Sequence, residues 1–541
     1  MRVLLRQYGR PAGALLLLFL LTGRALAAGL PPPAGWQPGA LAAAQRPALQ
    51  AFFAQGVDDL DVFCAPDCAS LQSRRDLFAL FFRGSFQRVA DKAEEDAAAA
   101  YAAQAAAYFT QPDYACRRPL TARVLEKLWQ RPAAARACAD TLPFLLDTEE
   151  GGRQLRQLPP ARVAAVHLLF AGESGKTLSR FGHTSLRLVV CAPQRKKVDA
   201  ACDEDLFEHI AVGFRAAVDN INISLWKGLS GGYALRLYAD PFMKVYGTYT
   251  TDEFRSLASL PLQLSAPERE LLVQALAEVH WAYRNDYRFF TQNCASELSW
   301  LLRVVSAVSA AEPAWLENAN VRPDRLFAQA KASPAFAGAV LDDLETAERD
   351  GFYFPGSAPY YQLALDTLQQ RMTSTTALAF AQFRELGAVQ RRQQFYEPAL
   401  AQPLSPARAA HAALVLEAWV ERHLRRELLA TLALYYLDIT QSLLQETAYF
   451  DAAERDLLQR CLAGFRSADQ QGQSGAGIPP APVVPDTGCD LESAAFRSVL
   501  EKLQRVAPLA ASHERRLAEL QTTVATMNWL LPQTGLVSTA K

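Results

Sequence analysis

The sequence has no surplus of charge of either sign. It carries 55 Lys and Arg against 56 Asp and Glu, a formal net charge of −1 over 541 residues. A protein that grips nucleic-acid phosphates by releasing counterions needs a basic excess, so nucleic acid is not expected as a partner. Metal motifs are missing as well. There is no CxxC pair and no HExxH, and the seven histidines are scattered, so no metal site is expected. No GxxxxGK[ST] or GxGxxG loop occurs, and no nucleotide or other cofactor is implied. Past the N-terminus no run approaches eighteen uncharged apolar residues. The longest, Leu428 to Leu437, is closed by Glu427 and Asp438, so no transmembrane segment is expected in the mature chain.

What is present is a globular composition. Half the residues are hydrophobic and 21% are charged, which at about 150 residues per domain predicts two to four domains. Residues 1–27 read as a signal peptide. Arg2, Arg6 and Arg10 form a basic start, Ala12 to Leu21 is apolar, and Ala25-Leu26-Ala27 fits a small-residue cleavage site. Cleavage there removes four Arg and no acid, leaving 51 basic against 56 acidic residues. The expected location is therefore the periplasm, or another exported compartment, with the mature chain soluble.

Export makes the nine cysteines informative, because disulfides persist in oxidising compartments. Eight of them fall in neighbouring pairs, and short loop closure favours Cys64 with Cys68, Cys116 with Cys138, Cys191 with Cys202, and Cys461 with Cys489. Cys294 has no near neighbour.

Four regions follow from the texture of the chain: residues 1–27, an Ala-rich helical region over 28–157, a mixed region over 158–330, and a mainly helical region over 331–541. Within the mixed region Val163 to Phe170 predicts a buried strand. Phe181 to Cys191 predicts a second, with His183, Ser185 and Arg187 on one face and Thr184, Leu186 and Leu188 on the other. Leu206 to Phe214 predicts a third, Gly228 to Tyr238 follows a turn at Gly231-Gly232, and Lys244 to Thr250 reads as strand-like. Ser265 with Glu268 forms a capping box for a helix reaching about His280, with Pro267 at an early helical position.

Chemistry points to Cys294. It follows Asn293, a strong N-cap residue, at the start of the helix Ala295 to Val305. A helix N-terminus favours thiolate over thiol, and its free N–H groups suit an oxyanion. An inert buried cysteine is the bland alternative. His183 is the natural base, although a lone strand histidine is more often structural. Glu208 and His209, on opposite faces of the next strand, are the candidates to orient its imidazole, His209 being preferred. Asn293 and Tyr287 are candidate oxyanion donors. Arg187 is a candidate anion-binding group or a structural ion pair, with Ser185 beside it. Gly231 and Gly232 either admit a ligand to the backbone or simply make a turn. Trp226, in the apolar stretch Leu225 to Leu229, either caps acyl chains or packs on the core.

Three stretches occur in order: Phe181-Gly182-His183-Thr184-Ser185-Leu186-Arg187, Gly228-Leu229-Ser230-Gly231-Gly232-Tyr233, and Tyr287-Arg288-Phe289-Phe290-Thr291-Gln292-Asn293-Cys294. Together they resemble the periplasmic domain of the Lnb-like family, which includes lipoprotein N-acyltransferases, over about residues 160 to 330. The resemblance implies an α+β chain whose central domain is a permuted papain-like (NlpC-like) fold with an antiparallel sheet, flanked by helical regions. It also implies Cys294 as nucleophile and His183 as general base. The reading it favours is acyl transfer or hydrolysis on lipid or lipoprotein acyl groups at a membrane surface. A cysteine peptidase or amidase acting on cell-wall peptides is the second reading, and a non-catalytic envelope module the third.

Overall fold

The computed structural model describes residues 104–535, except 106, 129–136, 148–152, 173–180, 218–230, 310, 312–313, 317–320, 372–377, 403–405, 444–448, 460–476, 480–497, 500, 504 and 506–510. The expected signal peptide, Trp226, and the cysteines at 64, 68, 461 and 489 lie outside the described residues. Among those described, no helix is long and apolar enough to cross a membrane.

The chain is an α+β protein built on a nine-stranded, mostly antiparallel sheet. In chain order the strands are β1 (Leu142–Asp147), β2 (Arg153–Leu158), β3 (Val163–Ala171), β4 (His183–Val190), β5 (Ile210–Ala217), β6 (Tyr233–Pro241), β7 (Leu257–Leu262), β8 (Asn285–Tyr287) and β9 (Tyr353–Phe354). Their order across the sheet is β2-β1-β6-β5-β4-β3-β7-β9, with β8 also on β6. Numbering only helices of ten residues or more, α1 is Pro119–Leu128, α2 Ala266–Ala282, α3 Cys294–Ser309, α4 Pro323–Ala332, α5 Ala358–Gln369, α6 Pro406–Leu443 and α7 Ala511–Leu530.

The continuous apolar run of β3 sits where a buried strand belongs, between β4 and β7. Helices α1, α2 and α3 share one core with the even-numbered face of β4, where Leu186, Leu188 and Val190 are buried. Each such side chain contributes about 1.5–3 kcal/mol of transfer free energy. Ser265 and Glu268 form the expected capping box of α2, with the Glu268 carboxylate accepting from the Ser265 N–H at 2.8 Å. Farther along α2, the buried Glu278 carboxylate accepts from the N–H groups of Leu120 (2.6 Å) and Thr121 (3.1 Å), capping α1.

Three stretches differ from the sequence expectations. Leu142–Asp147 and Arg153–Leu158, at the end of the region expected to be helical, pair as the antiparallel strands β1 and β2, with Leu142, Phe144 and Leu146 buried. The parallel β1–β6 contact is paired only at Leu146 and Ala239, and the His280 ring completes it. Its Nδ1 donates to the Leu237 carbonyl, and its Nε2 accepts from the Leu145 N–H, both at 3.1 Å.

The third strand of the mixed region begins at Ile210 rather than Leu206. The preceding residues are held by local bonds to Asp side chains: Asp199 accepts from the Ala201 N–H at 3.1 Å, and Asp205 from the Ala192 N–H at 2.8 Å. Such bonds compete with a ladder.

Lys244 to Thr250 is helical, not extended. A short α-helix, Phe242–Tyr246, runs into a π-helical turn, Gly247–Asp252. Pro241 ends β6 because it brings no N–H to a ladder, and β6 is already flanked by β5 and β1. Phe242 instead packs with Leu169, Ala211 and Phe354 on the second face of the sheet.

Beyond β9 the described chain is helical, with its own core of Leu365, Phe383, Tyr396, Leu416, Trp419 and Leu530. At its centre the buried Arg391–Glu417 pair is joined by the Tyr396 hydroxyl, which donates to Glu417 at 2.6 Å. Phe254 enters this core from the sheet side. Its φ of +56° costs a non-glycine residue about 1–2 kcal/mol. Gly356 lies so close that an added Cβ would fall 2.5 Å from the Phe254 carbonyl oxygen. A cleft of about 990 Å³ opens beside this contact, between Asp252, Phe254, Phe380, Trp419 and His423.

Candidate active site

The site starts from the end of a ladder. Strands β4 and β5 are paired over Leu186–Leu188 only, whereas β5 stays with β6 as far as Ala217. At the point where they part, α3 packs over both strands with its first residue, Cys294, at the split. Cys294 is 8% exposed and is the one free cysteine among the described residues. Its thiol lies beside the His183 imidazole and Thr184, close enough for both to act on its ionisation. Burial pushes this thiol up; the charge of His183, then polar interactions with the His183 ring and with the Thr184 backbone and side chain, outweigh it and bring the pKa to about 7.

Asn293 makes the helix start. Its Oδ1 accepts from the N–H groups of Ala295 (2.9 Å) and Ser296 (3.2 Å), while its own N–H donates to Ser296 Oγ at 2.8 Å. Both protons of its amide nitrogen are used, one on the Phe289 carbonyl and one on that of Val321, each at 2.8 Å. A side-chain amide has two donors, so Asn293 has none left for an oxyanion; its place is structural. No partner for the Cys294 backbone N–H occurs among the described residues. It and the Tyr287 phenol remain as donors at the site. Burial, then the charge of Cys294, raises the Tyr287 pKa to about 12, so the phenol keeps its proton.

His183 sits between two layers. On one side is Cys294, and on the other its ring stacks on Tyr249 of the π-helical turn, with centroids 6.0 Å apart and planes at 28°. Across on β5 is Gly213, where an added Cβ would lie 3.7 Å from His183 Nε2 and 2.9 Å from Ser185 Cβ. A side chain at Gly213 would force Ser185, two residues from His183 on the same strand, to shift and would come into contact with the imidazole. Sequence reasoning missed Tyr249, Thr184 and Gly213. The strand-like reading of 244–250 hid the first, and only pairing across the sheet identifies the other two.

The expected orienting residues are engaged elsewhere. His209 accepts from Arg187 Nε at Nδ1 (3.0 Å) and donates from Nε2 to the Cys202 carbonyl (2.8 Å). Glu208 pairs with Arg156 on β2. Arg187 is likewise engaged within the protein. It is fully buried between Phe242 and Phe354, bonded to Gly351 O at 3.0 Å and Asp203 O at 3.2 Å, and desolvation lowers its pKa to about 10. Ser185 is buried against Gly213. Gly231, at φ +94°, turns the chain into β6 against Asp286 and Arg288, and Gly232 is exposed beside it. The disulfides Cys116–Cys138 and Cys191–Cys202 both form. Among the described residues no group of three His, Cys, Asp or Glu side chains is placed to hold a metal ion.

Residues 152–321 match the family model of the Lnb N-terminal periplasmic domain. That stretch is an Lnb-like domain. It contains His183, Tyr249, Tyr287 and Cys294, and it ends before α5, α6 and α7. No curated protein and no solved structure is significantly similar to the chain. The match begins at β2 and ends before β9, so β1 and β9 of the sheet lie outside the matched residues.

Proposed function

We propose that the Lnb-like domain is a thiol acyltransferase or hydrolase of the cell envelope, with Cys294 as nucleophile and His183 as general base. The observation that carries this reading is the free, buried Cys294 thiol at a helix N-terminus beside His183, whose charge brings the thiol pKa down to about 7 against burial. A histidine strand followed along the chain by a cysteine-bearing helix is the order of a permuted papain-like enzyme, and the fold is read in that sense. Export is read from residues 1–27 and is supported by the two disulfides.

In the reaction, His183 takes the thiol proton and the thiolate attacks the carbonyl carbon of an ester. The tetrahedral oxyanion accepts from the Cys294 N–H and the Tyr287 hydroxyl. The carbon–oxygen bond breaks, the alcohol leaves with the proton from His183, and a thioester remains on Cys294. An amine then attacks the thioester, gives its proton to His183 and takes the acyl group; water in its place gives the free acid.

Acyl groups are favoured over cell-wall peptides as substrate because Phe290, four residues before Cys294 along the chain, is 66% exposed and offers an apolar surface just ahead of the helix that begins at Cys294. The test is to incubate the protein with a diacyl lipopeptide and, separately, with a muropeptide, and to weigh the intact chain. Acylation of Cys294 by the lipopeptide, absent in Cys294→Ala, supports the reading. Turnover of the muropeptide alone makes the protein a peptidase or amidase. No adduct and no turnover with either substrate overturns the enzymatic reading.

A further inference from the structure

The helical region beyond β9 lies outside the Lnb-like domain, yet it grips the segment that carries Tyr249. Trp419 of α6 donates from Nε1 to the Thr251 carbonyl at 2.8 Å. Ser357 donates to the Thr250 carbonyl from its hydroxyl at 2.7 Å and from its N–H at 2.9 Å. Arg422 and Arg426 of α6 pair with Asp252, and the Arg422 guanidinium occupies the space that a side chain at Gly247 would need. Just past the turn, Phe254 is stacked on Trp419, with centroids 5.3 Å apart and planes at 25°, and set edge-on to Tyr361 and Phe380. A non-glycine residue persists at positive φ only where its surroundings over-determine it; here the surroundings are α5, α6 and Phe380.

The opposite end of the same turn meets the site. The Tyr249 ring lies against His183, and the Arg255 guanidinium lies 4.8 Å from its centroid. Arg255 is in turn fixed by the carbonyls of Ala171 (2.9 Å) and Gly172 (2.5 Å). Cys294, Arg215 and Glu253 are the other charged groups close enough to act on the phenol. The two residues the sequence offered to orient the imidazole, Glu208 and His209, are committed elsewhere.

We propose that Tyr249 is the positioning residue of the Cys294–His183 pair, and that the C-terminal helical region holds it there through Trp419, Ser357 and the seat of Phe254. This gives the helices beyond β9 a role in the chemistry: they fix the plane of the imidazole. The proposal rests on the thiol-enzyme reading above.

The test uses the full chain and reads the alkylation rate of Cys294 by iodoacetamide from pH 5 to 9, located by peptide mass, with thermal unfolding as the control for folding. Tyr249→Leu is expected to slow alkylation at pH 7 about fivefold by moving the thiolate midpoint from about 7 up about one unit. Tyr249→Phe keeps the ring and is expected to retain the wild-type profile. Trp419→Phe keeps the stack on Phe254 but loses the bond to Thr251, and is expected to move the midpoint in the same direction by a smaller amount. Lys502→Ala breaks a pair with Glu454 elsewhere in the helical region and is expected to change nothing. Wild-type profiles in both Tyr249→Leu and Trp419→Phe overturn the proposal. Should Tyr249→Leu fail to fold, Trp419→Phe decides alone. An ordinary thiol profile in the wild-type protein instead removes the thiol-enzyme reading itself, so the two failures are told apart.

Discussion

Arg187 donates from Nε to Nδ1 of His209 at 3.0 Å, and the far nitrogen of that ring donates to the Cys202 carbonyl at 2.8 Å. A guanidinium has no acceptor, so Nδ1 must be bare, and His209 is the neutral Nε2–H tautomer. Desolvation and the Arg187 charge together lower its pKa to about 3. His280, locked between Leu145 and Leu237, is lowered to about 4, chiefly by burial.

Acid should destabilise the fold through these two rings. The unfolded chain binds their protons below about pH 6.5, while the folded chain refuses them down to about 4 and about 3. Stability is therefore complete above about 6.5 and is lost progressively as pH falls through that window. Thermal unfolding of His209→Gln, whose amide can both accept from Arg187 and donate to Cys202, is expected to depend less on pH between 4 and 6.5 than the wild type. An unchanged slope would refute the neutral assignment.

Removing His183 should return Cys294 to an unfavourable environment. The largest effects that lower the thiol go with the imidazole, while the smaller ones from Thr184 and the burial that raises it stay, so His183→Ala is expected to move the alkylation midpoint up from about 7 by at least one unit. The same kinetic titration that tests Tyr249 measures it.

Gly213→Ala should damage the site more than the fold. The new methyl would meet Ser185 Cβ at 2.9 Å and approach His183 Nε2 to 3.7 Å. Overpacking of this kind costs about 1–3 kcal/mol, read by denaturant unfolding. Cys294 alkylation at pH 7 is expected to fall well beyond what the lost stability explains.

Asn293→Ala should loosen the start of α3. It leaves the Ala295 and Ser296 N–H groups without their acceptor and the Phe289 and Val321 carbonyls without their donor. A lost cap costs about 0.5–2 kcal/mol, and the orphaned carbonyls add to it. Asn293→Asp keeps the capping oxygen and should recover part of the stability, which thermal unfolding will show.

Reduction of Cys191–Cys202 should cost about 3 kcal/mol by loop entropy for a separation of 11 residues. It should also free the Ala200–Glu204 turn, whose carbonyls at Cys202 and Asp203 hold His209 and Arg187. Serine at both positions, compared by thermal unfolding with the oxidised protein, checks the magnitude.

Much of the site is written in short-range pattern. An odd cysteine preceded by Asn marks a capped helix start, and the alternation of Phe181 to Cys191 assigns His183 and Thr184 to opposite faces. These depend on neighbours in the chain, which periodicity and capping chemistry report directly. The orienting residue was not legible in this way. Glu208 and His209 have suitable chemistry in a suitable place along the chain, but the ladder to β4 starts only at Ile210, and the residues before it turn toward Arg156 and Arg187.

By itself the sequence determined the solitary thiol, its helix N-terminus and the two local disulfides, and through the family resemblance the α+β class, because each is a matter of ordered motifs or of residues near one another along the chain. Only the tertiary structure decided that β4 and β5 separate beside Cys294, that Gly213 leaves room for the imidazole, and that a π-helical turn read as strand presents Tyr249 to His183. Those facts depend on register across the sheet and on Trp419 and Phe254 meeting from distant parts of the chain. Packing between remote segments leaves no periodic trace in either one.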